Sequence, residues 1–105
     1  MVECLYSNSF DEVINDKDKT SLVVFMKKNC HVCKEVINRL DELTEYYDGK
    51  IYFYQVDIEE DKELFKRFPL KGVPSLLFFQ AGQFKGKLAG KLDDERIRKK
   101  IDELL

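Results

Sequence analysis

With 105 residues and a net charge of -2 from 18 Lys+Arg against 20 Asp+Glu, the chain is sized for one domain over 1–105. That charge balance argues against nucleic acid or a bilayer as partner. Its 44% hydrophobic content suffices for a packed core without disulfide staples, and no apolar run reaches the roughly 20 residues that a membrane span needs. The start, Met1 to Tyr6, lacks the basic-then-apolar order of an export leader, so a cytoplasmic, thiol-reducing setting is expected. A monomer is expected as well.

Cys4-Leu5-Tyr6 is read as a short first strand, with Cys4 as a small buried hydrophobe. Phe10, Val13 and Ile14 give the next segment an apolar helical edge, which the polar stretch Asn15 to Ser21 ends. Leu22-Val23-Val24-Phe25-Met26 is an uninterrupted apolar run, the pattern of a strand buried on both faces. After Lys27-Lys28-Asn29 and Cys30, the residues Val32, Val36, Leu40, Leu43 and Tyr47 recur at helical spacing, and Gly49 suits the helix end. Ile51 to Val56 is a β-branched and aromatic strand. Glu59 to Phe68 reads as a short helix stopped by Pro69, which disfavours helical geometry at Phe68. A loop, Lys71-Gly72-Val73-Pro74, leads to the strand Ser75–Phe79. A tight turn at Gln80–Gln83 and a strand from Phe84 to Ala89 follow, and then a helix capped by Asp93 with Ile97, Ile101 and Leu104 inward.

The order is β-α-β-α-β-α-β-β-α. Such alternation predicts an α/β fold: a central mixed sheet, mostly parallel with an antiparallel C-terminal hairpin, flanked by helices on both faces. Functional sites of such sheets lie beyond the carboxyl ends of the strands, and Cys30 stands at one of those ends.

Cys30-His31-Val32-Cys33 places two thiols at a strand-to-helix junction. The first N–H groups of a helix lack partners and the helix dipole is positive there, so a thiolate at Cys30 is stabilised and becomes the attacking group. Cys33, one turn further on, is placed to resolve the mixed disulfide. Two other readings stay open on spacing alone. A structural Cys30–Cys33 bridge closes so small a loop that it stabilises little. A zinc site would need Cys4 and His31 as further ligands, whereas structural zinc usually takes two ligand pairs. No metal is expected.

The chain resembles the thioredoxin family over nearly its whole length. The likeness rests on three matches: the apolar strand followed by Cys30-His31-Val32-Cys33 and Lys34, Gly72-Val73-Pro74-Ser75 before a Leu-Leu-Phe-Phe strand, and Gly90 shortly before Leu92 and Asp93. The resemblance implies a thioredoxin-like fold and a thiol–disulfide oxidoreductase in which Cys30 attacks and Cys33 resolves. In that frame Pro74 matches a cis-proline beside the disulfide, Val73 the residue whose backbone pairs with substrate, and Gly90 a small residue at the groove rim. It also implies disulfide-containing protein substrates, an electron donor that is either a thiol or a reductase, and no bound cofactor.

The chain departs from the family pattern at several positions. Asn29 and Met26 stand where the family carries tryptophans, and Val24 and Gln55 replace a buried aspartate and its lysine partner. Cys33 is therefore expected to lose its proton without a neighbouring carboxylate. His31, beside Cys30, either stabilises the thiolate in its charged form or stays solvated with little influence. Two alternative functions remain: a binding module whose cysteines are inert or merely sense oxidation, and a glutaredoxin-like protein that uses glutathione.

Overall fold

A computed structural model describes residues 2–105. The elements follow in the expected order: β1 (Glu3–Cys4), α1 (Ser7–Ile14), β2 (Thr20–Met26), α2 (His31–Tyr46), β3 (Tyr52–Asp57), α3 (Lys62–Arg67), β4 (Ser75–Gln80), β5 (Gln83–Leu88) and α4 (Asp94–Leu104). All seven residues of β2 are buried, and their alternation divides the core in two. Leu22, Val24 and Met26 pack with Val36, Leu40 and Leu43 of α2 and Ile97 and Ile101 of α4. Val23 and Phe25 point to the other face, among Phe10 and Ile14 of α1 and Leu64 of α3. β4 repeats the division, with Leu76 and Phe78 on the first face and Leu77 and Phe79 on the second. A strand with helices on both sides must be apolar at consecutive positions, which is why the run is uninterrupted.

The five strands are ordered β1-β3-β2-β4-β5. β1, β3 and β2 run parallel, β4 is antiparallel to β2, and β5 is antiparallel to β4. The β4–β5 turn uses Ala81 (φ 52°) and Gly82 (φ 83°), the paired left-handed geometry of a two-residue hairpin. Gly82 is constrained twice, because a Cβ there would also stand 2.9 Å from Asn15 Oδ1.

Several local expectations are corrected. β1 covers Glu3–Cys4 rather than residues 4–6, and Cys4 is exposed. It belongs to a two-residue edge strand whose neighbours Val2 and Leu5 take the buried places in the two core clusters. Val32 is 52% exposed, and the inward face of α2 runs instead through Cys33, Val36, Leu40 and Leu43. Cys33 starts that stripe, and Val32 lies 100° away around the helix. α3 begins at Lys62 rather than near Glu59. Asp57 Oδ1 accepts the N–H groups of Glu59 and Glu60 in a preceding turn, and Asp61 then caps the helix through Leu64 N–H at 3.1 Å. Its end is as expected, with Phe68 extended (φ -120°, ψ 129°) before Pro69. Ser21, read as connection, lies fully buried inside β2.

Asp61 is the one buried carboxylate among the described residues. Its second oxygen accepts Ser7 N–H at 2.6 Å, so one side chain satisfies the first turns of both α1 and α3. The opposite layer is joined by Tyr47, whose hydroxyl donates to Asp102 Oδ1 at 2.9 Å and ties the end of α2 to α4. Burial, reinforced by the hydrogen bond to Asp102 and its charge, raises the Tyr47 phenol from 10.0 to about 12. A phenol raised in the folded state contributes stability fully below its unfolded value and loses it as pH rises through the folded one. Stability is therefore expected to fall between pH 10 and about 12. Tyr47→Phe should lower neutral-pH stability by about 1.5 kcal/mol and flatten that alkaline decline, as read by urea melts across pH. An unchanged alkaline slope in the variant would show that Tyr47 is not its source.

Candidate functional site

The register of β2 brings three segments to one edge of the sheet. Ser75 at the start of β4 is opposite Phe25 near the end of β2, so the loop before β4 lies beside the link that follows Met26. Leu88 at the end of β5 is opposite Leu76 at the start of β4, so the segment carrying Gly90 leaves the sheet at the same edge from which the Val73–Pro74 loop enters it. The Cys30 turn, the Val73–Pro74 loop and the Gly90 loop thus meet beyond the carboxyl end of β2.

Cys30 is the N-cap of α2, with extended geometry (φ -138°, ψ 107°), and its Sγ accepts the N–H of Cys33 at 3.1 Å. A sulfur occupies the position a serine or aspartate oxygen takes in ordinary capping, at the positive end of a 16-residue helix. Cys30 and Cys33 are joined in a disulfide with Cα atoms 5.2 Å apart. The two sulfurs differ sharply in environment. Cys30 is half-buried at the rim, whereas Cys33 has no exposed surface and lies in the apolar cluster of Val24, Met26 and Val36. An apolar surrounding disfavours the charged form of a thiol. Gln55, in register with Val24, spends its amide on the carbonyl of Val2 at 2.9 Å.

The Val73–Pro74 peptide bond is cis. Val73 packs against both core clusters, and the Ser75 hydroxyl donates to the Gly72 carbonyl at 2.7 Å, which pins the loop from within. Gly90 has φ 78° and nothing within 4 Å of where a Cβ would stand. Backbone conformation rather than crowding calls for glycine there. The loop around it is held by Arg96 of α4, whose Nη1 donates to the carbonyls of Ala89 at 3.0 Å and Lys91 at 2.5 Å. No sequence signal marked Arg96, because those carbonyls belong to the backbone of an irregular segment.

His31 opens α2 and is exposed, with Nε2 3.0 Å from Glu35 Oε1 one turn along the helix. Val32 is exposed beside it. Lys28, in the link before Cys30, pairs with Glu60. Cys4, the third cysteine, stands on the edge strand apart from the disulfide, and no group of three or more candidate metal-binding side chains occurs among the described residues. No described helix is long and apolar enough to cross a membrane.

The model of the thioredoxin family matches residues 1–103. The chain is 25% identical over 104 residues to the chloroplastic M-type thioredoxin of Pisum sativum, covering 99% of this chain and 60% of that protein. It is 27% identical over 95 residues to a thioredoxin of Chlorobaculum thiosulfatiphilum, covering 90% of this chain and 88% of that one. In fold it is similar to the crystal structure of a designed protein, at a TM-score of 0.85 and 21% identity over 97% of this chain and 90% of the other. The chain thus spans about three fifths of the pea relative and most of the bacterial one. With Cys30 capping α2, Cys33 in its first turn and the family match running almost end to end, the chain belongs to the thioredoxin family.

Proposed function

We propose that the protein is a thiol–disulfide oxidoreductase acting on protein disulfides in a thiol-reducing compartment such as the cytoplasm. The observation that carries this reading is the Cys33 N–H directed at Cys30 Sγ on the N-terminus of α2. That hydrogen bond and the helix end stabilise negative charge on Cys30, the sulfur with access to solvent. In the reduced protein the Cys30 thiolate attacks one substrate sulfur. The substrate S–S bond breaks, a Cys30–substrate disulfide forms, and one substrate thiolate leaves and takes a proton. Cys33 then loses its proton and attacks Cys30 Sγ, forming the Cys30–Cys33 bond and releasing the second thiolate. Two electrons pass to the substrate, and a reductase or two equivalents of a low-molecular-weight thiol return them. No other cofactor is required.

Val73, in the loop that precedes β4 at the carboxyl end of β2, receives the substrate chain as an added strand, a mode that reads main-chain groups. Pro74 and the open space at Gly90 leave room for that chain, and exposed Val32 adds an apolar contact.

Alkylation and mass counting of free thiols across glutathione buffers is the direct test. A two-electron transition confined to Cys30 and Cys33 is expected. Failure of the pair to interconvert would leave a binding module, and glutathionylation of Cys30 alone would leave a glutaredoxin-like protein.

The kinetics carry a second expectation. With Cys33 fully buried and no carboxylate in its cluster, its proton goes to water or to the departing thiolate. Quenched-flow mass spectrometry should find a Cys30–substrate species whose decay quickens about tenfold per pH unit from about pH 6 to 8, as the thiolate fraction of Cys33 rises. A decay rate flat in pH would show that a base within the protein takes the proton.

A further inference from the structure

Charge at the site is distributed unlike charge in the rest of the chain. The protein as a whole is slightly acidic, at net -2, yet residues 27–34, 69–75 and 89–92 contain five lysines and no aspartate or glutamate. Those are the three segments that the sheet register brings together around the cysteines. Lys28 is neutralised by Glu60. Lys27, Lys34, Lys71 and Lys91 have no carboxylate at ion-pair distance among the described residues. Lys34 follows Cys30 by one turn on the same side of α2, its N–H donating to the Cys30 carbonyl at 3.2 Å. Arg96 adds a fifth positive charge, fixed against the carbonyls on either side of Gly90. Of the carboxylates near these segments, two are paired with cationic or imidazole side chains and two accept backbone amides. Glu35 is with His31, Asp94 with Arg39, Asp93 with Arg96 N–H, and Asp57 with the amides of Glu59 and Glu60.

We infer that Lys27, Lys34, Lys71, Lys91 and Arg96 form a cationic rim that selects substrate disulfides flanked by aspartate or glutamate. The inference rests on the oxidoreductase reading and names its substrate class. Acidic flanks ordinarily slow thiol exchange, since they repel the attacking thiolate and disfavour the thiolate that leaves. A rim of fixed positive charge offsets both effects and draws the acidic segment in from a distance of about 10 Å at 0.1 M salt. The apolar contacts at Val32 and Val73 are indifferent to charge, so discrimination falls to the rim.

The test uses three synthetic peptides with the same disulfide ring and Glu-Glu, Gln-Gln or Lys-Lys on each side. Their reduction by the fully reduced full-length protein is timed in single turnover and normalised to reduction by dithiothreitol. The acidic peptide is expected to react about tenfold faster than the basic one at about 20 mM salt, the ratio shrinking to about twofold at about 0.5 M. The double substitution Lys71→Glu/Lys91→Glu, at two exposed positions, should invert the order, with circular dichroism checking that the variant is folded. Equal normalised rates for the three peptides at low salt would overturn the inference and leave the oxidoreductase reading standing. An unchanged order in the folded double variant would do the same. Absence of reduction of all three peptides would overturn both.

Discussion

The position of every functional group in this protein depends on burying β2 from both sides. Because Thr20–Met26 is covered by α2 and α4 on one face and by α1 and α3 on the other, the strand can neither shift register nor twist away without exposing a row of apolar side chains. Its end is therefore a fixed point. From Met26 a short link reaches Cys30. From the Phe25–Ser75 pairing the Val73–Pro74 loop is placed, and through β4 and β5 so is Gly90. Three segments distant in sequence acquire a common location from one strand that contributes no chemistry itself.

The same burial makes the two cysteines unequal. A disulfide couples them covalently, yet α2 turns Cys33 into the core while Cys30 stays at the cap. Charge is favoured on one sulfur by the helix end and opposed on the other by its apolar cluster. With valine at position 24 and an amide at position 55 bound to the Val2 carbonyl, the interior beneath the site is electrically neutral. Such an interior avoids the desolvation of a buried ion pair and keeps the core packed. In exchange, deprotonation of Cys33 is left to groups outside it.

The architecture was legible because its signals are local: the apolar run of β2, the helical spacing after it and the turn residues each report on one element. Cys30, as the residue between strand and helix, followed from those same patterns. What escaped concerns choices between neighbours. Val32 and Cys33 are both apolar, and only the angular position of α2 against the sheet decides which is buried. Cys4 read as core because free cysteines usually are, but an edge strand of two residues has little core to offer it. Asp61 was read as part of a helix although it caps one, since three acidic residues in succession give no hint of which carboxylate turns inward. Arg96 and Ser75 act on backbone carbonyls, partners that leave no trace in residue type.

A neutral interior and a charged rim have a joint kinetic consequence. When the second thiol is slow to ionise, the first exchange has time to run backwards, and the mixed disulfide approaches equilibrium with free substrate before it is resolved. Contacts that would otherwise affect only the encounter then act on the population of the mixed disulfide itself. The main-chain pairing proposed for Val73 and the attraction inferred for the unpaired lysines would both strengthen that population, the first for any extended segment and the second for acidic ones alone. A fast internal base would commit nearly every captured disulfide to reduction. Without one, weak non-covalent preferences are expressed in full, so a resolving cysteine with no carboxylate in its own cluster is the setting in which surface charge discriminates best among substrates.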